Sequence, residues 1–258
     1  MYNFDFEKPA SIADAVAALA SEDAQALAGG QTLIPTLKQR LASPSKLVSL
    51  SGIAEMKGTS VADGVLTIGA GTTHAELAAR GHGSLSVLAG NIGDAAVRNR
   101  GTIGGSLANN DPSADYPAAI LATGATIITN ARSIPAEDFF DGIFTTALED
   151  GEIITAVAVP IPEKSCYVKF EQPASRFALV GVCVAKMADG VRVGVTGASE
   201  DGVYRWHEAE AALDANFSAD AIADLSVSAD GLISDLHGTP EYRANLVKVL
   251  TARAVTGC

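Results

Sequence analysis

Short apolar runs alternate with helical patterns through the first 160 or so residues of the chain. Apolar runs at 24–28 and 46–50 predict strands, and the patterns at 13–20 and 33–41 predict helices. Asp63-Gly64 lies between two β-like stretches and predicts a hairpin with a second arm at 65–69, and a helix is predicted at 73–80. This alternation indicates an α/β region made of two small parts, roughly 1–55 and 56–162.

The pattern changes after Pro160 and Pro162. Strands are predicted at 167–170, 177–187 and 191–196, and Asp189-Gly190 is a two-residue turn between the last two. Helical patterns return at 206–213, 218–225 and 240–254. We therefore predict an α+β fold, with a two-part N-terminal α/β domain over 1–162 and an antiparallel sheet with helices over 163–258.

Two glycine-bearing segments are the candidate functional sites. The first, Ala28–Thr32, follows a predicted strand and precedes a predicted helix, an arrangement that is typical of phosphate binding by backbone amides. The second has three glycines within 101–105, and we predict an irregular loop there because glycine accepts positive φ and permits close approach. Taken alone, 101–118 could be only a tight connection, but the two segments together favour the binding of one pyrophosphate.

Composition and charge narrow the function. Eighteen basic and 30 acidic residues give a formal charge of −12, which argues against nucleic acid as a partner. No apolar run reaches the roughly 18 residues of a membrane span, and the N-terminus lacks the features of a signal peptide. Three scattered cysteines favour a cytoplasmic location and cannot supply the four thiolates of an iron–sulfur cluster, so no metal centre is predicted on this chain.

Three motifs, in this order and at these separations, resemble the FAD-binding medium subunit of the carbon monoxide dehydrogenase and xanthine dehydrogenase family, the molybdenum hydroxylases. The motifs are Ala28-Gly29-Gly30-Gln31-Thr32, Arg98-Asn99-Arg100-Gly101-Thr102-Ile103-Gly104-Gly105-Ser106 and Asp111-Pro112-Ser113-Ala114-Asp115-Tyr116-Pro117. Further likeness extends through 151–160 and 169–181. The resemblance implies an FAD-binding domain of the PCMH type in an electron-transfer subunit that needs no catalytic residue of its own.

The resemblance also implies the partners and the cofactors. A large subunit would carry the molybdenum cofactor and a small subunit two [2Fe–2S] clusters, in a dimer of heterotrimers. The FAD would collect electrons from the clusters and pass them to an external acceptor. Neither histidine nor cysteine occurs in 28–37, so we expect FAD to bind non-covalently.

The family's FAD-binding positions carry over to both glycine segments and to several single residues. Asn109 and Asp115 match positions that bind the nucleotide portion, Ile154 matches an apolar position near the cofactor, and Phe177 falls close to the isoalloxazine, where some relatives have tyrosine. Phe177 could instead be a core aromatic. The full implied set is Leu27, Ala28, Gly29, Gly30, Gln31, Thr32, Leu33, Thr102, Ile103, Gly104, Gly105, Ser106, Asn109, Asp115, Ile154, Lys169 and Phe177.

Several alternatives remain open from the sequence. Arg98 and Arg100 could offset the charge of FAD or pair with acidic residues. His74 and His82 are expected to make polar contacts rather than bind a metal. As a whole, the chain could be a stand-alone flavin-dependent oxidoreductase, a nucleotide-binding module without redox function, or a scaffold subunit that no longer binds FAD.

Overall fold

The computed structural model describes all 258 residues, and it begins with a small parallel sheet. Its three strands run parallel in the order β1-β3-β2, and a helix joins each strand to the next one in the sequence, as parallel pairing requires. Ser11 caps the first helix by accepting the amide of Asp14 at 3.1 Å. The elements are β1 (Asp5–Glu7), α1 (Ile12–Leu19), β2 (Ala24–Leu27), α2 (Leu33–Lys38) and β3 (Lys46–Ser49).

The second sheet has five antiparallel strands in the order β4-β5-β8-β6-β7. Asp63 and Gly64 both have positive φ, 50° and 75°, and form the predicted hairpin turn between its first two strands. Five helices connect β5 to β6. The elements are β4 (Thr59–Ala62), β5 (Val65–Gly69), α3 (His74–Ala78), α4 (Gly83–Gly90), α5 (Ala95–Arg98), α6 (Ile103–Asn109), α7 (Tyr116–Thr123), β6 (Thr126–Thr129), β7 (Ser133–Pro135), α8 (Ala136–Phe139) and β8 (Ile154–Pro160).

The third sheet is antiparallel, in the order β12-β11-β10-β9, and its two central strands are buried on both faces. Alternation along β10 sends Cys183 and Ala185 into the core of the N-terminal region, whereas Val182 and Val184 pack with the C-terminal helices. The elements are β9 (Lys164–Glu171), β10 (Ala178–Met187), β11 (Gly190–Ser199), β12 (Gly202–Arg205), α9 (His207–Ala215) and α10 (Pro240–Gly257). The predicted α+β fold is thus confirmed, and we retain the boundary at residue 162 as a proposal.

Helix α7 joins the third sheet to the rest of the molecule. All eight of its residues are buried. A Cβ at Gly194 on β11 would lie 2.1 Å from the carbonyl oxygen of Ala118, so only glycine lets the helix lie this close to the strand. The Thr196 hydroxyl also donates to the carbonyl of Ala114 at 2.8 Å. This packing places Asp115 beside β9.

Two local predictions are wrong. Residues 103–109 form helix α6 rather than an irregular loop, and Gly101, Gly104 and Gly105 do not have positive φ. The helix predicted at 218–225 is only a 3₁₀ turn over Ala219–Ile222. At α6 the close packing of Gly104 against Ala70, rather than local propensity, decides the backbone conformation.

Candidate cofactor site

A cavity of about 620 Å³ lies where the first sheet, the second sheet and the β9–β10 connection meet. Both glycine segments line it, and Ile154 and Phe177 contribute apolar side chains. Its volume is within the roughly 300–1,000 Å³ of typical ligand pockets. The cavity therefore brings together segments that are distant in the sequence.

The first glycine segment, Ala28–Thr32, presents free backbone donors to this cavity. All five residues line it, and none of their amide N–H groups has an acceptor in the protein. Gly30 has a φ of 72°, and a Cβ at Gly29 would lie 2.2 Å from the carbonyl oxygen of Arg100. Successive unpaired amides on such a turn are suited to bind an anion.

The second glycine segment is built differently, because most of its amides are already bonded. Gly104 N donates to the Ala70 carbonyl at 2.9 Å, and Gly105 N donates to the Thr102 hydroxyl at 3.1 Å. Ile103 and Ser106 also have backbone acceptors, so only the Thr102 amide of 102–106 is left. A Cβ at Gly104 would lie 2.6 Å from the Ala70 Cβ. These glycines allow close packing of the cavity wall.

Asp115 is a buried carboxylate that lines the cavity at the start of α7. Its Oδ1 accepts the Tyr167 hydroxyl at 2.6 Å and lies 2.9 Å from Lys169 Nζ. Burial raises the pKa of Asp115, and the Lys169 ammonium opposes that rise. Both donors reach the same oxygen and leave Oδ2 as an acceptor for a ligand.

The buried imidazole of His74 packs against Gly101, next to the second glycine segment. His74 begins α3 after a capping box formed by Thr73 and Glu76, and its Nδ1 is hydrogen-bonded to the Tyr116 hydroxyl at 3.0 Å. A Cβ at Gly101 would lie 2.6 Å from His74 Nε2. Burial, and then the charge of Arg98, lower the pKa of His74 to about 4, so the imidazole is neutral near pH 7. The predicted polar contact of His74 is confirmed.

Comparison with known proteins decides the family. The protein family described as the FAD binding domain in molybdopterin dehydrogenase matches residues 2–162 of this chain. The carbon monoxide dehydrogenase medium chain of Afipia carboxidovorans is 33% identical, with 98% of this chain and 96% of that protein covered. The chain belongs to the FAD-binding medium-subunit family of the molybdenum hydroxylases. FAD is therefore its cofactor.

Other relatives and solved structures agree with this membership. The glyceraldehyde dehydrogenase medium chain of Sulfolobus acidocaldarius is 32% identical over 97% of this chain and 96% of that one. Quinoline 2-oxidoreductase from Pseudomonas putida 86 superposes with a TM-score of 0.88 at 31% identity, covering 99% of this chain and 96% of that chain. Carbon monoxide dehydrogenase from Hydrogenophaga pseudoflava gives 0.86 at 30% identity, with the same coverage.

The residues present fit FAD. Its pyrophosphate is an anion, and the five free amides of Ala28–Thr32 form a cradle for it. A Cβ at Gly29 would displace this turn, because it would lie 2.2 Å from the carbonyl oxygen of Arg100. The two arginines of the second motif have different surroundings in the structure. Arg98 Nη1 donates to the carbonyls of Ile92 and Gly93 at 3.1 and 2.7 Å. Arg100 lines the cavity, and its guanidinium has no hydrogen bond or ion pair in the protein.

The implied FAD-binding residues lie around the cavity with two exceptions. Ile103 is fully buried in the core behind the wall, and the Lys169 side chain points to Asp115 and does not line the cavity. The sequence reasoning missed Lys57 and Glu152, which line the cavity without any motif to mark them. A hydrogen bond from Arg132 lowers the pKa of Glu152 to about 2, so this acid is already paired.

None of the helices combines the length and the apolarity needed to cross a membrane. The chain is an oxidoreductase subunit by family, since its relatives are dehydrogenase and hydroxylase subunits.

Proposed function

We propose that this chain binds FAD non-covalently and is the electron-transfer subunit of a molybdenum hydroxylase complex. The observation that carries the proposal is the cradle of five free amides at Ala28–Thr32, with glycine required at 29 by contact and at 30 by a φ of 72°. A chain that had lost FAD would have no need to keep these amides unpaired. The cradle therefore favours a cofactor-binding subunit over a scaffold.

Each part of the cavity suits a different part of FAD. The amides of Ala28–Thr32 and the Arg100 guanidinium would hold the pyrophosphate. Asn109 and Asp115 would accept or donate hydrogen bonds to the nucleotide portion, and Ile154 and Phe177 would pack near the isoalloxazine. When bound, FAD supplies the ability to accept and release electrons, while the protein binds and orients it.

The partners follow from the relatives, which are named as medium chains or as subunits of complexes. We propose a large partner that carries the molybdenum cofactor and chooses the substrate, and a small partner that carries two [2Fe–2S] clusters. The three different chains would form a heterotrimer, and two heterotrimers would assemble as a dimer in the cytoplasm. Electrons would pass from the clusters to FAD and then to an external acceptor.

The test is the visible absorption spectrum of the protein purified from its native host, with the accompanying chains resolved on a gel. We expect a flavin spectrum, FAD released on denaturation, and two co-purifying subunits. A colourless single chain that cannot be reconstituted with FAD would refute the proposal in favour of a scaffold.

The isolated chain provides the second arm. Reconstituted with FAD, it should show no bleaching of the flavin with aldehydes, purines or N-heterocycles, because the partner oxidises the substrate. Bleaching by the chain alone would instead support a stand-alone flavin-dependent oxidoreductase.

A further inference from the structure

Lys169 lies on β9, and all three donors of its ammonium have acceptors within the protein. Nζ is 2.9 Å from Asp115 Oδ1, 3.0 Å from the Asn91 carbonyl oxygen and 2.6 Å from the Arg176 carbonyl oxygen. An ammonium has three N–H groups, and this side chain is only 5% exposed. It therefore has no donor left for a ligand while these contacts persist.

The three acceptors belong to three separate parts of the cavity wall. Asn91 is the C-cap of α4, just before the cavity-lining residues 92 and 93, and Asp115 is the N-cap of α7. Arg176 lies in the β9–β10 connection beside Phe177, and both residues line the cavity. One buried cation thus joins three segments that are far apart in the sequence.

The β9–β10 connection has few hydrogen bonds besides this contact. Its own backbone hydrogen bonds run from Gln172 N to the Phe177 carbonyl and from Arg176 N to the Gln172 carbonyl, both at 2.9 Å. Phe177 N also donates to the Ser175 hydroxyl at 3.3 Å. Arg176 has a φ of 60°, a left-handed conformation that is strained for a residue other than glycine. Lys169 Nζ donates to the carbonyl of this strained residue at 2.6 Å, which ties the connection to β9.

The pKa of the Asp115 carboxyl also depends on the Lys169 ammonium. The charged or titratable groups around this carboxyl are Lys169 and Tyr167 on β9 and the neighbouring Tyr116 of α7. Burial raises the pKa of Asp115 and the ammonium opposes the rise. Without Lys169, this carboxyl would take up a proton at a higher pH.

We propose that Lys169 is a positioning residue of the FAD pocket, which holds the Asp115 carboxyl and the 172–177 connection against the cavity without contacting the cofactor. This inference rests on the proposed function, because it concerns the site that would bind FAD. It differs from the role implied by the family resemblance, in which Lys169 binds FAD itself.

The experiment compares Lys169→Met with Lys164→Met in the full chain. Lys164 is an exposed lysine on the same strand and does not line the cavity, so it controls for loss of a charge. FAD dissociation constants are measured by flavin fluorescence from pH 5.5 to 8.5. Hydrogen exchange of residues 172–177 is measured without FAD.

For Lys169→Met we expect the amides of Gln172 and Arg176 to exchange at least about tenfold faster than in the wild type. FAD affinity should fall, and the loss should grow as the pH falls, because Asp115 becomes protonated. A purely structural role would lower the affinity by one factor at every pH. Lys164→Met should match the wild type in both measurements.

A further comparison tests whether the pH dependence comes from Asp115. In an Asp115→Asn background, Lys169→Met should lose its pH-dependent effect on FAD affinity, since no carboxyl remains to titrate. Unchanged exchange at 172–177, a pH-independent loss, or a pH effect that persists without Asp115 would each overturn the proposal. A wild-type chain that binds no FAD would refute the proposed function, while the exchange comparison would still decide whether Lys169 holds 172–177.

Discussion

The two glycine segments meet where Gly29 contacts the Arg100 carbonyl, yet they use their backbones in opposite ways. In Ala28–Thr32 no amide has a protein acceptor, and all five residues face the cavity. In 102–106, four of the five amides are bonded within the protein, and Gly104 is packed against Ala70. The first segment is therefore a binding surface, and the second is mainly a wall that supports it.

This difference shows that glycine content alone does not identify a phosphate-binding turn. Both segments contain paired glycines close to a helix start, but Gly29-Gly30 precedes α2 whereas Gly104-Gly105 lies in the first turn of α6. What separates them is whether the backbone donors are already satisfied, since an amide with an acceptor in the protein is not free to bind an anion. The predictions below test this division between a binding turn and a supporting wall.

The largest expected effect is a loss of folding stability at acidic pH, through the histidine that packs against the supporting wall. His74 lies beneath Gly101, with its pKa lowered to about 4 against 6.5 for an ordinary histidine. As the pH falls, His74 is protonated in the unfolded chain at a higher pH than in the folded protein. The free energy of unfolding therefore decreases as the pH falls from about 6.5 to about 4. The full loss corresponds to about 3 kcal/mol. Urea unfolding of the wild type and of His74→Asn at several pH values would measure it.

The difference between the two proteins isolates this histidine from other titrating groups. We expect the stability advantage of the wild type over His74→Asn to shrink by about 3 kcal/mol between pH 7 and pH 4. An advantage that stays constant over this range would show that the wall does not depend on a neutral His74.

The next effect concerns the binding turn. A Cβ at Gly29 would lie 2.2 Å from the Arg100 carbonyl oxygen, so Gly29→Ala must displace the turn. We expect FAD affinity to fall about 100-fold, or about 2.7 kcal/mol, measured by flavin fluorescence titration. Gly90→Ala is the matched control, because its Cβ would meet only the Ala78 Cβ, at 3.7 Å. Equal FAD affinity in both variants would mean that the turn is not the cradle.

The corresponding substitution in the wall should act on stability first. In Gly104→Ala the new Cβ would lie 2.6 Å from the Ala70 Cβ and 2.8 Å from its carbonyl oxygen, which accepts the Gly104 amide. We expect the free energy of unfolding in urea to fall by about 2 kcal/mol. Stability equal to that of Gly90→Ala, together with lost FAD affinity, would assign Gly104 to binding instead.

Local sequence signals predicted the parts of the fold that local chemistry determines. Asp63-Gly64 specified the hairpin because both residues tolerate positive φ, and the Gly29-Gly30 pair after a buried strand marked the binding turn. The sequence did not predict helix α6. Two glycines in its first turn cost about 1 kcal/mol each as helix residues, and packing against Ala70 with a cap from Thr102 overrides that cost.

The surroundings of Asp115 could not be predicted from sequence patterns. Its partners Tyr167 and Lys169 are more than 50 residues away, and they reach it because Gly194 lets α7 lie directly on the third sheet. No local periodicity encodes a contact of this kind. The same holds for Arg98 and Arg100, which look equivalent in the sequence until the carbonyls of Ile92 and Gly93 are seen to hold Arg98.

The smallest expected effect sharpens the electrostatic side of the binding turn. Arg100 lines the cavity next to Gly101 with no partner for its guanidinium, so it is placed to offset the pyrophosphate charge. We expect Arg100→Gln to weaken FAD binding about tenfold, or about 1.4 kcal/mol, and to reduce its dependence on salt. Arg80→Gln, an exposed arginine that does not line the cavity, should leave both unchanged. Equal salt dependence of FAD binding in the two variants would mean that the backbone amides alone, without Arg100, stabilise the pyrophosphate charge.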